Sequence, residues 1–202
     1  VLFRLLDRRL EYLSTDKTIT PDKFWNEYIT EYVNEKPVKN FIMDCIVPRP
    51  RDLIFFINTS KNNAVGKGHS YISESDLEDA YVEYSNWVFQ SLMVENGITI
   101  NQLKEFLYHL VGTKSIVTYD EIRETMIKAG ISTESKSEIQ YFIDHLCTLS
   151  FIGREIRQDE FYFDYGYETD DKKVFLANKF NSQRFKIHNA FIPYMECEDY
   201  VR

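Results

Sequence analysis

Apolar residues in the first half of the chain recur at helical spacing. Over 1–13 they place Leu2, Leu5, Leu6, Leu10 and Leu13 on one stripe, which predicts an amphipathic helix. That helix carries no start signal and the chain has no initiator Met, so the sequence is expected to begin inside a longer protein. Thr20-Pro21 combines an N-cap with a first-turn proline and opens a second helix, with Phe24, Trp25, Tyr28, Ile29 and Tyr32 on its buried side. A short helix is expected over 37–46. In Val47-Pro48-Arg49-Pro50-Arg51-Asp52 the two prolines fix their own backbone and push the preceding residues out of the helical region. This forces an extended turn before the next helix, over 51–64. Asn62 to Ser70 reads as a polar loop, and Ser75 with Glu78 as a capping box for a long helix over 76–95.

After Asn96-Gly97 the pattern changes. Helices are expected over 99–110, 119–129 and 133–149, separated by short turns. Apolar-rich stretches over 151–157, 160–167 and 173–177 read as short strands, and 184–197 as a strand leading into a short helix. Three helices followed by a β-hairpin is the order of a winged helix-turn-helix. The expected fold is therefore mainly α, of α+β class. A helical bundle occupies 1–97, and a winged-helix domain with a small antiparallel sheet and a C-terminal strand and helix occupies 98–202.

Composition adds exclusions. With 44% apolar and 15% aromatic residues the chain can bury a core and is not a disordered tail. No window approaches eighteen uninterrupted apolar residues, so no transmembrane helix is expected, and the N-terminus lacks the apolar run of a signal peptide. Cys45, Cys147 and Cys197 are odd in number, far apart and set in apolar sequence, which points to buried free thiols in a reducing cytoplasm. The net charge of −8 is evenly spread, with 12 basic and 16 acidic side chains in 1–112 and the same numbers in 113–202. Neither half has the basic surplus that a phosphate backbone demands.

The chemistry of a phosphate-binding loop needs a glycine-rich turn followed by Lys and Ser or Thr. Gly66-Lys67 is a near-miss, with Gly68 where the hydroxyl belongs and Lys61 at the earlier glycine position. A helix-connecting loop is the better account. His69, His109, His145 and His188 share no ligand spacing with one another or with the cysteines, so no metal is expected. No glycine pattern of a nucleophile elbow is present. The carboxylate-rich stretches 74–79 and 164–171 read as solvated caps and loops. On the expected recognition helix Lys136 and Gln140 could meet DNA, as could Arg154 and Arg157 on the wing. Yet acids outnumber bases on both elements, so a protein-contacting winged helix is favoured over a DNA reader.

The segment Ile46-Val47-Pro48-Arg49-Pro50-Arg51-Asp52-Leu53-Ile54 is the most distinctive in the chain. With Gly68-His69-Ser70-Tyr71-Ile72-Ser73-Glu74-Ser75-Asp76-Leu77-Glu78-Asp79-Ala80 and Tyr84-Ser85 after it, it resembles the lid region of bacterial AAA/STAND-type P-loop ATPases, in particular a family in which an RPRDLI motif follows the ATPase core. The tail Phe185-Lys186-Ile187-His188-Asn189-Ala190-Phe191 is similar to the end of that family, with Asn189 where proline is expected. The likeness spans the chain loosely outside these segments. It implies a helical lid followed by a winged helix, with an arginine near the start of a lid helix reaching the γ-phosphate. By position that role falls on Arg51, with Arg49 as second choice. The alternative is that both arginines cap the preceding helix or pair with Asp44 and Asp52. The resemblance also implies that ATP and Mg²⁺ are held by an ATPase core elsewhere in the same polypeptide. This chain would then bind no cofactor alone, would not be an enzyme by itself, and would contact another protein or subunit through the winged helix.

Overall fold

The computed structural model describes residues 2–13, 19–94, 100–166 and 171–199. The Asn96-Gly97 break, the start of the next helix at Thr99, the side chain of Leu13 and Tyr167 at the end of an expected strand lie outside the described residues. The chain divides into two compact units, Val1–Ser85 and Asn86–Arg202. Helices dominate, and the strands form two small antiparallel sheets.

The first unit begins with α1 (Leu2–Leu13) and α2 (Pro21–Glu27). Thr20 caps α2 as its sequence predicts, its hydroxyl accepting from Lys23 N–H at 3.2 Å. The helix ends at Glu27, short of Ile29 and Tyr32. These β-favouring residues instead form extended structure, because partners elsewhere in the chain, Ile72 and Pro37, are available to them. Ile29 bridges Ile72 in parallel, with Thr30 N–H donating to Ile72 O at 2.9 Å and Ile72 N–H to Tyr28 O at 2.8 Å. β1 (Tyr32–Val33) then pairs with β2 (Lys36–Pro37) through a turn in which Asn34 and Glu35 both have positive φ, at 49° and 62°. A turn of this hand normally carries glycine, so Glu35 holds its conformation under strain.

α3 (Val38–Cys45), α4 (Pro50–Lys67) and α5 (Glu74–Val94) complete the helices of this unit, which ends within α5 at Ser85. Ile42, Ile46, Leu53, Phe56, Leu77 and Tyr84 are fully buried in its core. α4 runs through the stretch expected to be a loop and stops at Gly68, whose φ of 74° only glycine adopts freely. Gly68 N–H donates to Val65 O and His69 N–H to Ala64 O, a Schellman stop. The glycines of the apparent phosphate loop thus belong to a helix end.

The second unit holds α6 (Ile100–His109), β3 (Ile116–Thr118), α7 (Tyr119–Lys128), α8 (Lys136–Thr148), β4 (Ile152–Arg157) and β5 (Glu160–Tyr162). Three helices and a hairpin therefore follow in the expected order. Thr118 with Glu121, and Ser135 with Glu138, form complete capping boxes that start α7 and α8. β3 lies where only a short turn is expected, and β5 ends at Tyr162, short of the expected 160–167. The segment expected as a strand over 173–177 lies in α9 (Asp171–Phe180). Its apolar core Val174-Phe175-Leu176 is too short to fix a period, and the surrounding Lys, Leu and Ala residues, with Asp171 in the first turn, favour helix. Further, β6 (Arg184–Ile187) lies between β3 and β4, giving the sheet order β3-β6-β4-β5 and leaving β5 at the edge. β6 earns that central place by alternation, since Phe185 and Ile187 are buried while Arg184 and Lys186 are partly exposed.

The segment after β6 is tied back to the sheet and to Ser115. His188 precedes a 3₁₀ turn, Asn189–Phe191, and its Nδ1 accepts from Ala190 N–H at 3.0 Å. Nδ1 is therefore unprotonated, and the proton of the neutral ring sits on Nε2, 3.2 Å from the Tyr165 hydroxyl. α10 (Ile192–Met195) follows. Asp199 then accepts from the backbone N–H of buried Ser115 at 2.8 Å and from its hydroxyl.

Gly153 in β4 lies under the ring of Phe163: a Cβ there would stand 2.8–2.9 Å from three ring atoms. Gly153→Ala is expected to cost about 1–3 kcal/mol in urea unfolding. Adding Phe163→Leu should recover part of that loss, because the obstructing ring is gone.

Candidate functional site

The turn predicted at the two prolines is present, and a tyrosine hydroxyl holds it. Arg49 is the N-cap residue of α4, with φ −113° and ψ 147°, and Pro50 opens the first turn. Arg49 N–H donates back to Val47 O at 2.7 Å, closing a three-residue turn, and Arg49 O accepts from the N–H groups of Asp52 and Leu53 at 3.1 Å. From α5 the Tyr84 hydroxyl donates to Asp52 Oδ1 at 2.7 Å and accepts from Val47 N–H at 3.0 Å. Val47, Asp52 and Tyr84 are all buried. One phenol thus joins the segment before the prolines, the helix after them, and α5.

Asp52 Oδ2 makes no hydrogen bond and is buried. Arg51 Nε stands 3.5 Å from it, an ion pair in which the arginine side chain is 48% exposed and the carboxylate fully buried. Burial pushes the Asp52 carboxyl above its ordinary value, and the Tyr84 hydroxyl and the charges of Arg49 and Arg51 offset that only in part. Burial likewise drives the Tyr84 phenol well up, reinforced by the Asp52 charge, so it stays a donor. Sequence reasoning located Arg49, Arg51 and Asp52 here, and paired Arg51 with Asp52 as one alternative. It counted Tyr84 only among the segments of the family resemblance and gave it no role, since its polar tip is hidden in a helix-spaced apolar stripe with Leu77, Ala80, Tyr81 and Val88. Asp44, the other carboxylate considered for these arginines, instead meets Lys36 Nζ at 2.5 Å.

A second cluster joins the end of α4 to the start of α5. Asp76 is fully buried, and its Oδ2 accepts from Ser73 N–H at 2.9 Å, from Ser73 Oγ at 2.7 Å and from His69 Nδ1 at 2.8 Å. Lys67 Nζ lies 3.0 Å from Asp76 Oδ1 and 2.7 Å from Asp79 Oδ2. Burial alone would raise the Asp76 carboxyl. His69, both donors of Ser73 and Lys67 outweigh it and hold the group far below the usual carboxylate range. Ser73 with Asp76, one pair earlier than Ser75 with Glu78, carries the capping interaction. The His–Asp–Ser proximity is not a nucleophilic triad, because serine and histidine both direct their donors at the same carboxylate oxygen.

In the second unit a cleft of about 500 Å³ opens between α8, β4 and α9. It contains two of the candidate DNA contacts, and both are occupied within the chain: Gln140 Nε2 donates to Asp144 Oδ1 at 2.7 Å, and Arg154 Nη2 bonds the same oxygen. Arg157 Nη1 pairs with Glu160 at 2.9 Å, while Lys136 is exposed. Glu155, buried in the wall, accepts from Arg184 Nη1 at 2.7 Å, from Asp159 N–H at 2.8 Å and from Ser182. Cys147 also faces the cleft, but burial pushes its thiol up to about 12, far from a nucleophile's range. All three cysteines are free and buried. Among the described residues no group of three or more His, Cys, Asp or Glu side chains could hold a metal ion. No helix of the described residues is long and apolar enough to cross a membrane.

Asp76→Asn should lower stability by about 2 kcal/mol at pH 7, the scale of hydrogen bonds to a charged group. Because the folded carboxyl titrates below the unfolded one, the wild-type advantage is complete above about pH 4 and is lost as pH falls through the lower folded value. Urea unfolding of both proteins at pH 7 and pH 3 should therefore show the gap narrowing; a constant gap would contradict the assignment.

With this geometry in view, comparison with known proteins gives one likeness. Residues 1–93 match the family model of a FunZ-associated C-terminal helical domain. No curated protein and no solved structure matches the chain.

Proposed function

We propose that this chain is the non-catalytic, regulatory C-terminal portion of a cytoplasmic P-loop ATPase, in which Arg51 reports on the nucleotide phosphate held by the ATPase core. The observation that carries the reading is the Arg51 geometry: a half-exposed guanidinium on the first turn of an 18-residue helix, directly after Pro50 and beside a buried carboxylate. A guanidinium so restrained loses little entropy on meeting phosphate oxygens and offers them a planar fork of donors. The similarity of residues 1–93 to a C-terminal helical domain agrees with a place behind a larger protein's core. Phosphate loop, Mg²⁺ ligands and catalytic base would all belong to that core, which would hold ATP and Mg²⁺. Arg49 is the second candidate sensor. The second unit, read as a winged helix, would pass the lid's motion to another protein or subunit.

In the polypeptide joining this chain to its ATPase core, Arg51→Ala is expected to lower ATP turnover about 10-fold or more, on the scale of losing a transition-state donor. Arg51→Lys keeps a cation beside Asp52 but loses the fork, and should also be impaired with its folding intact. Turnover unchanged in both variants would remove the sensor role.

A DNA-binding winged helix is the rival, favoured by the order of α6, α7, α8 and the β4–β5 hairpin. Its proposed contacts count against it, since Gln140, Arg154 and Arg157 are engaged with Asp144 and Glu160 in a chain of net charge −8. Fluorescence anisotropy with a labelled duplex at about 20 mM salt, where the electrostatic term is largest, should show no binding. Saturable binding that weakens steeply with salt would reverse the preference.

A further inference from the structure

We infer that Tyr84 and Asp52 are positioning residues for Arg51: together they tether its guanidinium through Nε and tie it to α5. This rests on the phosphate-reporting reading only for its purpose; the tether itself is geometric. Three facts carry it. Tyr84 Oη is the shared hydrogen-bond partner of Asp52 Oδ1 and Val47 N–H, so one atom of α5 holds both sides of the proline-framed turn. Asp52 Oδ2 has no hydrogen-bond donor, and Arg51 Nε stands 3.5 Å from it. The contact is made by the inner nitrogen of the guanidinium, one of its five N–H donors.

The pair orients Arg51 because its own freedom is small. Asp52 is pinned by backbone bonds to Arg49 O, and Tyr84 is wedged against Phe55 and Phe56, with ring centroids 6.2 and 6.0 Å away. A shift of α5 along its axis would pull the phenol from Asp52 and Val47 together, and rotate the carboxylate that faces Arg51. The position of α5 and the aim of Arg51 are then one mechanical variable. Tyr84 lies on α5 within the first unit, so a displacement of that helix would reach the turn.

The test is nitrogen-edited NMR of the arginine side chains in the 202-residue chain, with the Arg51 Nε–H signal assigned by its loss in Arg51→Lys. The readout is the order of the Nε–H vector from nitrogen relaxation, because an ion pair restrains the side chain without closing a hydrogen bond. In the wild type the order parameter should be about 0.8, and in Tyr84→Phe, which keeps the ring and removes the hydroxyl, it should fall below about 0.6 while the arginines of the second unit are unaffected. Asp52→Asn, which keeps an acceptor for Tyr84 but removes the charge, should loosen the same vector, and serves if Tyr84→Phe does not fold. A purely structural Tyr84 would leave the order of Arg51 Nε–H unchanged in both variants, and that result overturns the proposal. In the ATP-hydrolysing polypeptide Tyr84→Phe should lower kcat with KM unchanged, and add no further loss to Arg51→Ala. An ordered Nε–H with normal turnover in Arg51→Ala would remove the sensing reading and leave the tether standing. A disordered Nε–H in the wild type with lost turnover in Arg51→Ala would do the reverse.

Discussion

The Tyr84 hydroxyl is the atom on which the first unit's candidate site depends. A buried phenol must find partners for its donor and its acceptor, and here both lie on opposite sides of one turn, at Asp52 and Val47. Two prolines restrict how that turn can bend, but they leave its placement undetermined; the hydroxyl supplies the placement. Because Asp52 in turn faces Arg51, one hydrogen bond inside the core sets the geometry of a charged group at the surface. Removing Asp52 would leave the Tyr84 donor unsatisfied, and removing Tyr84 would leave a buried carboxylate with even fewer donors, so the three residues stand or fall as a network.

The same principle recurs at the other buried acids. Asp76 closes the turn between α4 and α5 by accepting from His69 and Ser73, and Glu155 ties β4 to β6 and its preceding turn through Arg184 and Ser182. Asp52 and Glu155 draw donors from distant sequence positions, Tyr84 for the first and Ser182 and Arg184 for the second, whereas the donors of Asp76 lie within nine residues of it. These are the joints of the structure. The capping boxes at Thr118 and Ser135, by contrast, are local devices confined to four residues each.

That difference explains what could be read in advance. Periodicity located α1, α3, α4, α5, α7 and α8, because an amphipathic stripe and a cap are properties of neighbouring residues. The proline turn was legible for the same reason, and with it the candidate arginines. The C-terminal end of α2 was not, because Ile29 leaves the helix for a partner at Ile72, 43 positions away. α9 was misread since three apolar residues fit either period, and its packing against β4 is a tertiary fact. The central place of β6 was invisible, because strand order depends on pairing with both β3 and β4. Tyr84 was hidden by its own periodicity: it occupies a core position by spacing, and nothing local signals that its hydroxyl has work there.

Burial of the partner acid distinguishes Arg51 from Arg154 and Arg157. Those two meet the carboxylates of Asp144 and Glu160, which are at least half exposed, whereas Arg184 bridges the exposed Asp159 and the buried Glu155. Asp52 is instead fully buried, and burial pushes it toward its neutral form despite the nearby cations. The Tyr84 hydroxyl and the charges of Arg49 and Arg51 offset that push in part. A phosphate at the surface offers several anionic oxygens and matches the guanidinium fork. On the proposed role, the guanidinium would turn toward phosphate while Asp52 keeps its bond from Tyr84. The buried acid would then serve as the fixed point from which the arginine is aimed.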